Sequence, residues 1–137
     1  MRQKLVLDCS MTAAWLLSAQ ATLESKRLLD DMEKWQPIVP SIWETEIANV
    51  MLVQIRRSRI SVAEAIEFLN FLKQFQIQTY SVEREQIFGS VFSLGRQFDL
   101  SSYDALYLHL ALSESAPIAT LEEKLLKAAK ACGVEQV

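Results

Sequence analysis

The chain has 137 residues, half of them hydrophobic, with only three Gly and three Pro. That is enough for a hydrophobic core and too few breakers for a linker or a disordered tail, so one domain over 1–137 is expected. A formal charge of −3 argues against broad electrostatic binding of nucleic acid, although carboxylates that hold divalent cations lose that sign once the cation binds.

Cys9 and Cys132 are far apart, without metal-type spacing, and suit thiols in a reducing compartment. Arg2, Lys4 and the sequence Ala19-Gln20-Ala21 imitate a leader peptide, but Asp8 breaks the apolar run. No stretch approaches membrane-spanning length. A cytoplasmic protein without a membrane segment is the expectation.

Residues 4–8 form a short, nearly unbroken apolar run, the pattern of a strand buried on both faces. Ser10 or Thr12 is placed to cap a helix over 13–17, and a second helix is predicted over 23–35. Proline brackets a short strand at 37–40, after which Ser41 caps a long helix reaching Arg57. Ser61 opens the next helix, the alternation over 75–80 reads as a strand, and Ser81 to Glu83 caps a helix ending near Gln97. Residues 100–112 are apolar on nearly every side, so this helix belongs inside the domain. A strand at 116–120 and a helix over 121–132 follow, with Gly133 as its stop and 134–137 as a further edge strand. Strands separated by helices predict an α/β sandwich with a mainly parallel sheet.

The acids sort by what explains them. Ser41-x-x-Glu44, Ser61-x-x-Glu64 and Thr120-x-x-Glu123 are spaced as capping boxes, and Ser101-x-x-Asp104 fits one loosely because its acid is short. Asp8, Glu46 and Glu122 are left without that explanation, and Asp104 has half of it. In parallel sheets ligands bind beyond the carboxyl ends of the strands. Asp8 ends the first strand, Thr120 and Glu122 follow the last one, and Asp104 opens a helix from the same edge. Glu46 shares a helix stripe with Asn49, Val50 and Val53.

Four acids are thus expected at one mouth, with no Lys or Arg at matching positions. Like charges gathered in a cleft need a cation. A set of oxygen ligands without His or Cys selects Mg²⁺ or Mn²⁺. Such a centre suits water activation and the charge that develops on a phosphodiester. The basic run Arg56-Arg57-Ser58-Arg59 fits cations at a helix C-terminus, with RNA-phosphate contact as an additional use for Arg56, Arg57 and Arg59.

At these residues the chain resembles the PIN-domain ribonucleases, and among them the VapC-type toxins of toxin–antitoxin pairs. The resemblance runs the whole length through Val6-Leu-Asp8-Cys-Ser10, Pro40-x5-Glu46-Ile-Ala-Asn49, Ser101-Ser-Tyr-Asp104-Ala-Leu-Tyr-Leu and Ala119-Thr120-Leu-Glu122-x-x-Leu125. It implies a three-layer α/β/α sandwich with four or five short strands. It also implies a Mg²⁺- or Mn²⁺-dependent endoribonuclease, homodimeric, silenced by a cognate antitoxin and acting on structured RNA such as transfer RNA or ribosomal RNA loops. Carried over by position, Asp8, Glu46 and Asp104 are the catalytic, metal-binding acids, and Ser10, Asn49, Ser101 and Thr120 are their polar support. Glu122 is the fourth candidate ligand, standing where the family commonly has Asp. Its extra methylene moves the carboxylate outward by about a bond length, and misplacements near 1 Å cost on the order of 10²-fold in rate. A helix N-terminal acid is the other use of Glu122.

Two other functions compete. One is a PIN fold with weakened chemistry that grips RNA or an antitoxin. The other, a phosphatase with Asp8 as nucleophile, fails because Ser10 stands where a second Asp is required. His109 lies about 140° around the helix from Asp104 and points away from the acids. Trp15, Trp35 and Trp43 are expected in the core or at an interface.

Overall fold

The apolar run ending at Asp8 becomes the centre of a parallel sheet. The computed structural model describes residues 2–17 and 21–137; positions 19 and 20 of the leader-like sequence lie outside them. Strands β1 (Gln3–Leu7), β2 (Trp35–Pro40), β3 (Gln78–Tyr80) and β4 (Ile118–Ala119) are ordered β3-β2-β1-β4, every pairing parallel. Val6 is paired with Ile38 on one side and Ile118 on the other. Leu5, Val6 and Leu7 have no exposed surface, as a strand covered on both faces requires. The expected strand at 134–137 is reduced to one parallel bridge between Ile118 and Gln136.

Helix α1 (Cys9–Ala14) packs on α2 (Leu23–Asp31) and on α3 (Trp43–Arg56), and α3 in turn packs on α4 (Val62–Leu72). Helix α7 (Ser102–Glu114) packs on β1 and β2 and gathers α6 (Phe92–Phe98) and α8 (Glu123–Ala131) around itself. The result is the expected α/β/α sandwich. Helix α7, expected inside the domain, is buried along Ala105, Tyr107, Leu108, Leu110 and Ala111, while Tyr103 and Leu112 stay exposed, so it is covered on part of its circumference only. Trp43 is buried and its Nε1 donates to Thr12 Oγ1, while Trp15 and Trp35 pack partly buried against the core.

Several boundaries differ from the sequence expectation, each for a physical reason. Helix α1 begins at Cys9, because Asp8 takes the N-cap position and not Ser10 or Thr12. Helix α2 stops at Asp31, since Trp35 is already paired with Gln3 in the sheet and a 3₁₀ turn at Met32–Lys34 bridges the two. Ser41 does not cap α3: its N–H donates to Tyr80 O, extending the β2–β3 ladder, and Glu44 accepts from Thr79 Oγ1. The helix expected over 83–97 is split into α5 (Arg84–Gln86), a π turn at Ile87–Val91 and α6, which Asp99 ends in the left-handed region. The box of Ser61 and Glu64 forms as predicted, with both hydrogen bonds at 3.0 Å. Thr120 and Glu123 form none, because the Thr120 hydroxyl is used elsewhere.

Candidate functional site

Asp8 leaves β1 at its carboxyl end and is 3% exposed. Its Oδ2 accepts from Ser10 Oγ at 2.7 Å and from Thr120 Oγ1 at 2.6 Å, and the two hydroxyls lie 3.2 Å apart, so both hold the same carboxylate oxygen. Leu121 N–H donates to Ser10 Oγ and Glu122 N–H to Thr120 Oγ1, each at 3.0 Å. The backbone entering α8 therefore orients both hydroxyls, which in turn orient Asp8. Burial raises the pKa of Asp8, and the Thr120 and Ser10 hydrogen bonds oppose that rise.

Glu46 rises from the first turns of α3, half-buried, and its Oε1 accepts from the Tyr107 hydroxyl. Burial raises its pKa, the Tyr107 bond opposes this, and the charges of Asp8 and Asp104 add to the rise. Asp104 stands in the first turn of α7, where its N–H donates to the Ser101 hydroxyl at 3.1 Å. The reciprocal half of a capping box is absent, so the carboxylate is free of the backbone. Burial first, then the charges of Asp8 and Glu122, push Asp104 up to about 6.

Asp8, Ser10, Glu46, Asn49, Asp104 and Glu122 line one cavity of about 340 Å³ together with Cys9, Ala13, Val50, Val53 and Gln54. No Lys or Arg is in that lining, and none of the ion pairs among the described residues involves Asp8, Glu46, Asp104 or Glu122. Among the described residues no three His, Cys, Asp or Glu side chains are gathered closely enough to hold a metal ion. The acids differ in depth, from buried Asp8 through half-buried Glu46 and Asp104 to exposed Glu122.

The four acids and Ser10, Asn49 and Thr120 thus meet at one edge of the sheet. Ser101 serves α7 as its N-cap and lies outside the cavity lining. Glu122 is exposed at the N-cap of α8, the outermost of the four acids. Arg56, Arg57 and Arg59 are exposed beyond the cavity, with Arg56 about 15 Å along the α3 axis from Glu46. His109 is also outside the lining, as expected.

Sequence reasoning missed Tyr107, which has no exposed surface and whose hydroxyl is bound to Glu46. A signal was present: Tyr107 lies one turn after Asp104 on an apolar helix, and a buried tyrosine hydroxyl has to find a partner. Glu46 was the acid on an inward stripe still lacking one.

No protein-family model matches the chain, and none of the curated proteins does. Solved structures are similar to it in fold. PAE2754 from Pyrobaculum aerophilum is 20% identical, with a TM-score of 0.72 over 98% of this chain and 84% of that one. VapC20 from Mycobacterium tuberculosis, a sarcin-ricin loop cleaving toxin, is 14% identical, with a TM-score of 0.67 over 97% and 98%. A toxin–antitoxin complex from Klebsiella pneumoniae contains a chain 17% identical, with a TM-score of 0.55 over 88% of each. The chain thus shares with these structures an α/β/α sandwich around a parallel sheet. VapC20, of the type that the four short motifs resemble, is similar to this chain in fold.

Proposed function

We propose that the chain is a Mg²⁺- or Mn²⁺-dependent endoribonuclease acting as the toxin of a toxin–antitoxin pair. The observation that carries this reading is the meeting of Asp8, Glu46 and Asp104 in one cavity without a cationic side chain. Burial raises the pKa of all three, and the charge of at least one neighbouring carboxylate adds to each rise, an electrostatic demand that a divalent cation would meet. The donors are oxygens, the chemistry that suits a hard cation. When bound, such an ion supplies an activated water and stabilises the charge that develops on a phosphodiester.

Each residue of the chain has a distinct task. Ser10 and Thr120 fix Asp8 through Oδ2. Tyr107 fixes Glu46 through Oε1, and Oε2 has no partner among the described residues. Asp104 lines the same cavity free of the backbone, and Glu122 at the rim would reach a bound ion through water. Arg56, Arg57 and Arg59 contact flanking phosphates.

An antitoxin as partner is supported by the fold shared with a chain of the Klebsiella pneumoniae toxin–antitoxin complex. A homodimer is supported by exposed aromatic surface, with Phe88 75%, Phe92 59% and Tyr103 53% exposed. Among the described residues no helix is long and apolar enough to cross a membrane.

The test is incubation of total transfer and ribosomal RNA with the purified chain in Mn²⁺, Mg²⁺ or chelator, with Asp8→Asn alongside. Discrete metal-dependent fragments, lost by at least about 10²-fold in the variant, are the expected result. A folded protein that cleaves with neither metal refutes the nuclease and leaves a binding module in its place.

A further inference from the structure

The cavity that holds the carboxylates has a second half. From Glu46 it follows α3 through Asn49, Val50 and Val53 to Gln54. Gln54 completes the core-facing row Trp43, Ile47, Met51, Gln54 of that helix and is only 6% exposed. No side-chain hydrogen bond joins it to another described residue, yet no enclosed side-chain nitrogen or oxygen among them lacks a partner. Its carboxamide, without a partner among the described residues, belongs to a residue that lines the cavity and is available there to water or ligand. Leucine would finish the row at no polar cost, so the amide needs another explanation.

We propose that Val50, Val53 and Gln54 form a base-recognition subsite for RNA. One nucleobase near the scissile phosphate lies against the two valines, and the Gln54 carboxamide pairs with its edge. A carboxamide presents one acceptor and paired donors side by side, the pattern that reads an adjacent donor and acceptor on a base. Unpaired RNA can splay such a base into a protein cavity. The order along α3 fits a strand lying in the groove. The carboxylates come first, the apolar wall with its amide ends about 12 Å further along the helix, and Arg56 and Arg57 follow at the helix end. The inference deepens the ribonuclease reading and rests on its RNA substrate.

Fluorescence anisotropy with labelled RNA decamers of A, C and U tests it, in the Asp104→Asn background so that the RNA survives. Gln54 is compared with Gln54→Leu and Gln54→Met, which keep the bulk and remove the amide. The expected result is a preference of about tenfold for one decamer with Gln54, lost in both variants without a fall in melting temperature. Equal binding of all three decamers with Gln54, binding of none, or a preference that survives in either variant overturns the subsite. Metal-dependent cleavage is scored separately on the unsubstituted chain. Cleavage with a preference indifferent to Gln54 removes the subsite and leaves the nuclease; a Gln54-dependent preference without cleavage does the reverse.

Discussion

Thr120 and Tyr107 act on Asp8 and Glu46 in the same way: each hydroxyl donates to one carboxylate oxygen and fixes the direction of the other. Thr120→Val and Tyr107→Phe remove those hydroxyls at nearly constant volume. Each is expected to weaken Mn²⁺ binding by about 10–100-fold, read by titration calorimetry, while changing stability by only about 1 kcal/mol. Unchanged Mn²⁺ affinity in both would show that the hydroxyls serve packing alone. Asp104 sets a pH dependence. Its pKa rises from the ordinary 3.8 to about 6 on folding, so the native state binds its proton more tightly than the unfolded chain. Stability in chelator therefore falls as pH rises through that window and levels off above it. The melting temperature should decline from pH 4 to 6, and less steeply in Asp104→Asn, where one repelling charge is gone.

At the scale of elements, two serines with the same spacing to a glutamate have different fates. Ser61 and Glu64 cap α4 reciprocally, whereas Ser41 gives its N–H to Tyr80 O and Glu44 turns to Thr79. Ser61→Ala is expected to cost about 1 kcal/mol in urea denaturation and Ser41→Ala only a few tenths. Equal losses would mean that local spacing, and not the sheet, decides how helices start here. The short strands tell the same story: β3 and β4 keep only the residues that find a partner in β2 and β1, so the alternation over 75–80 yields a strand at Gln78–Tyr80 alone. The segment from Arg84 to Phe98 carries a π turn, and nothing in its sequence announced it.

Over the whole molecule, charge is distributed with a purpose that the net value hides. The acids occupy the cavity, while Arg56, Arg57 and Arg59 lie at the far end of α3, outside it. Replacing Arg56 and Arg57 with Ala should weaken RNA binding about equally for all sequences. It should also lower the slope of log affinity against log salt by about 1 to 2, measured by anisotropy between low and physiological salt. An unchanged slope would return these arginines to the helix C-terminus as their sole role.

By itself the sequence determined the parallel α/β architecture and the identity of the acids, because both are local signals. An unbroken apolar run ending in Asp8, an all-apolar helix interrupted by Asp104 and an acid on the inward stripe of α3 are each visible within about ten residues. Tertiary structure alone decided the partners of those acids. Thr120 lies 112 residues from Asp8, and Tyr107 lies 61 from Glu46. Contacts at such separations exist only once β4 has joined β1 and α7 has packed across the sheet. The same packing left Glu122 at the rim and turned Gln54 toward the cavity. A hydroxyl or an amide looks alike in every local context, and only the surface it meets on folding gives it a role.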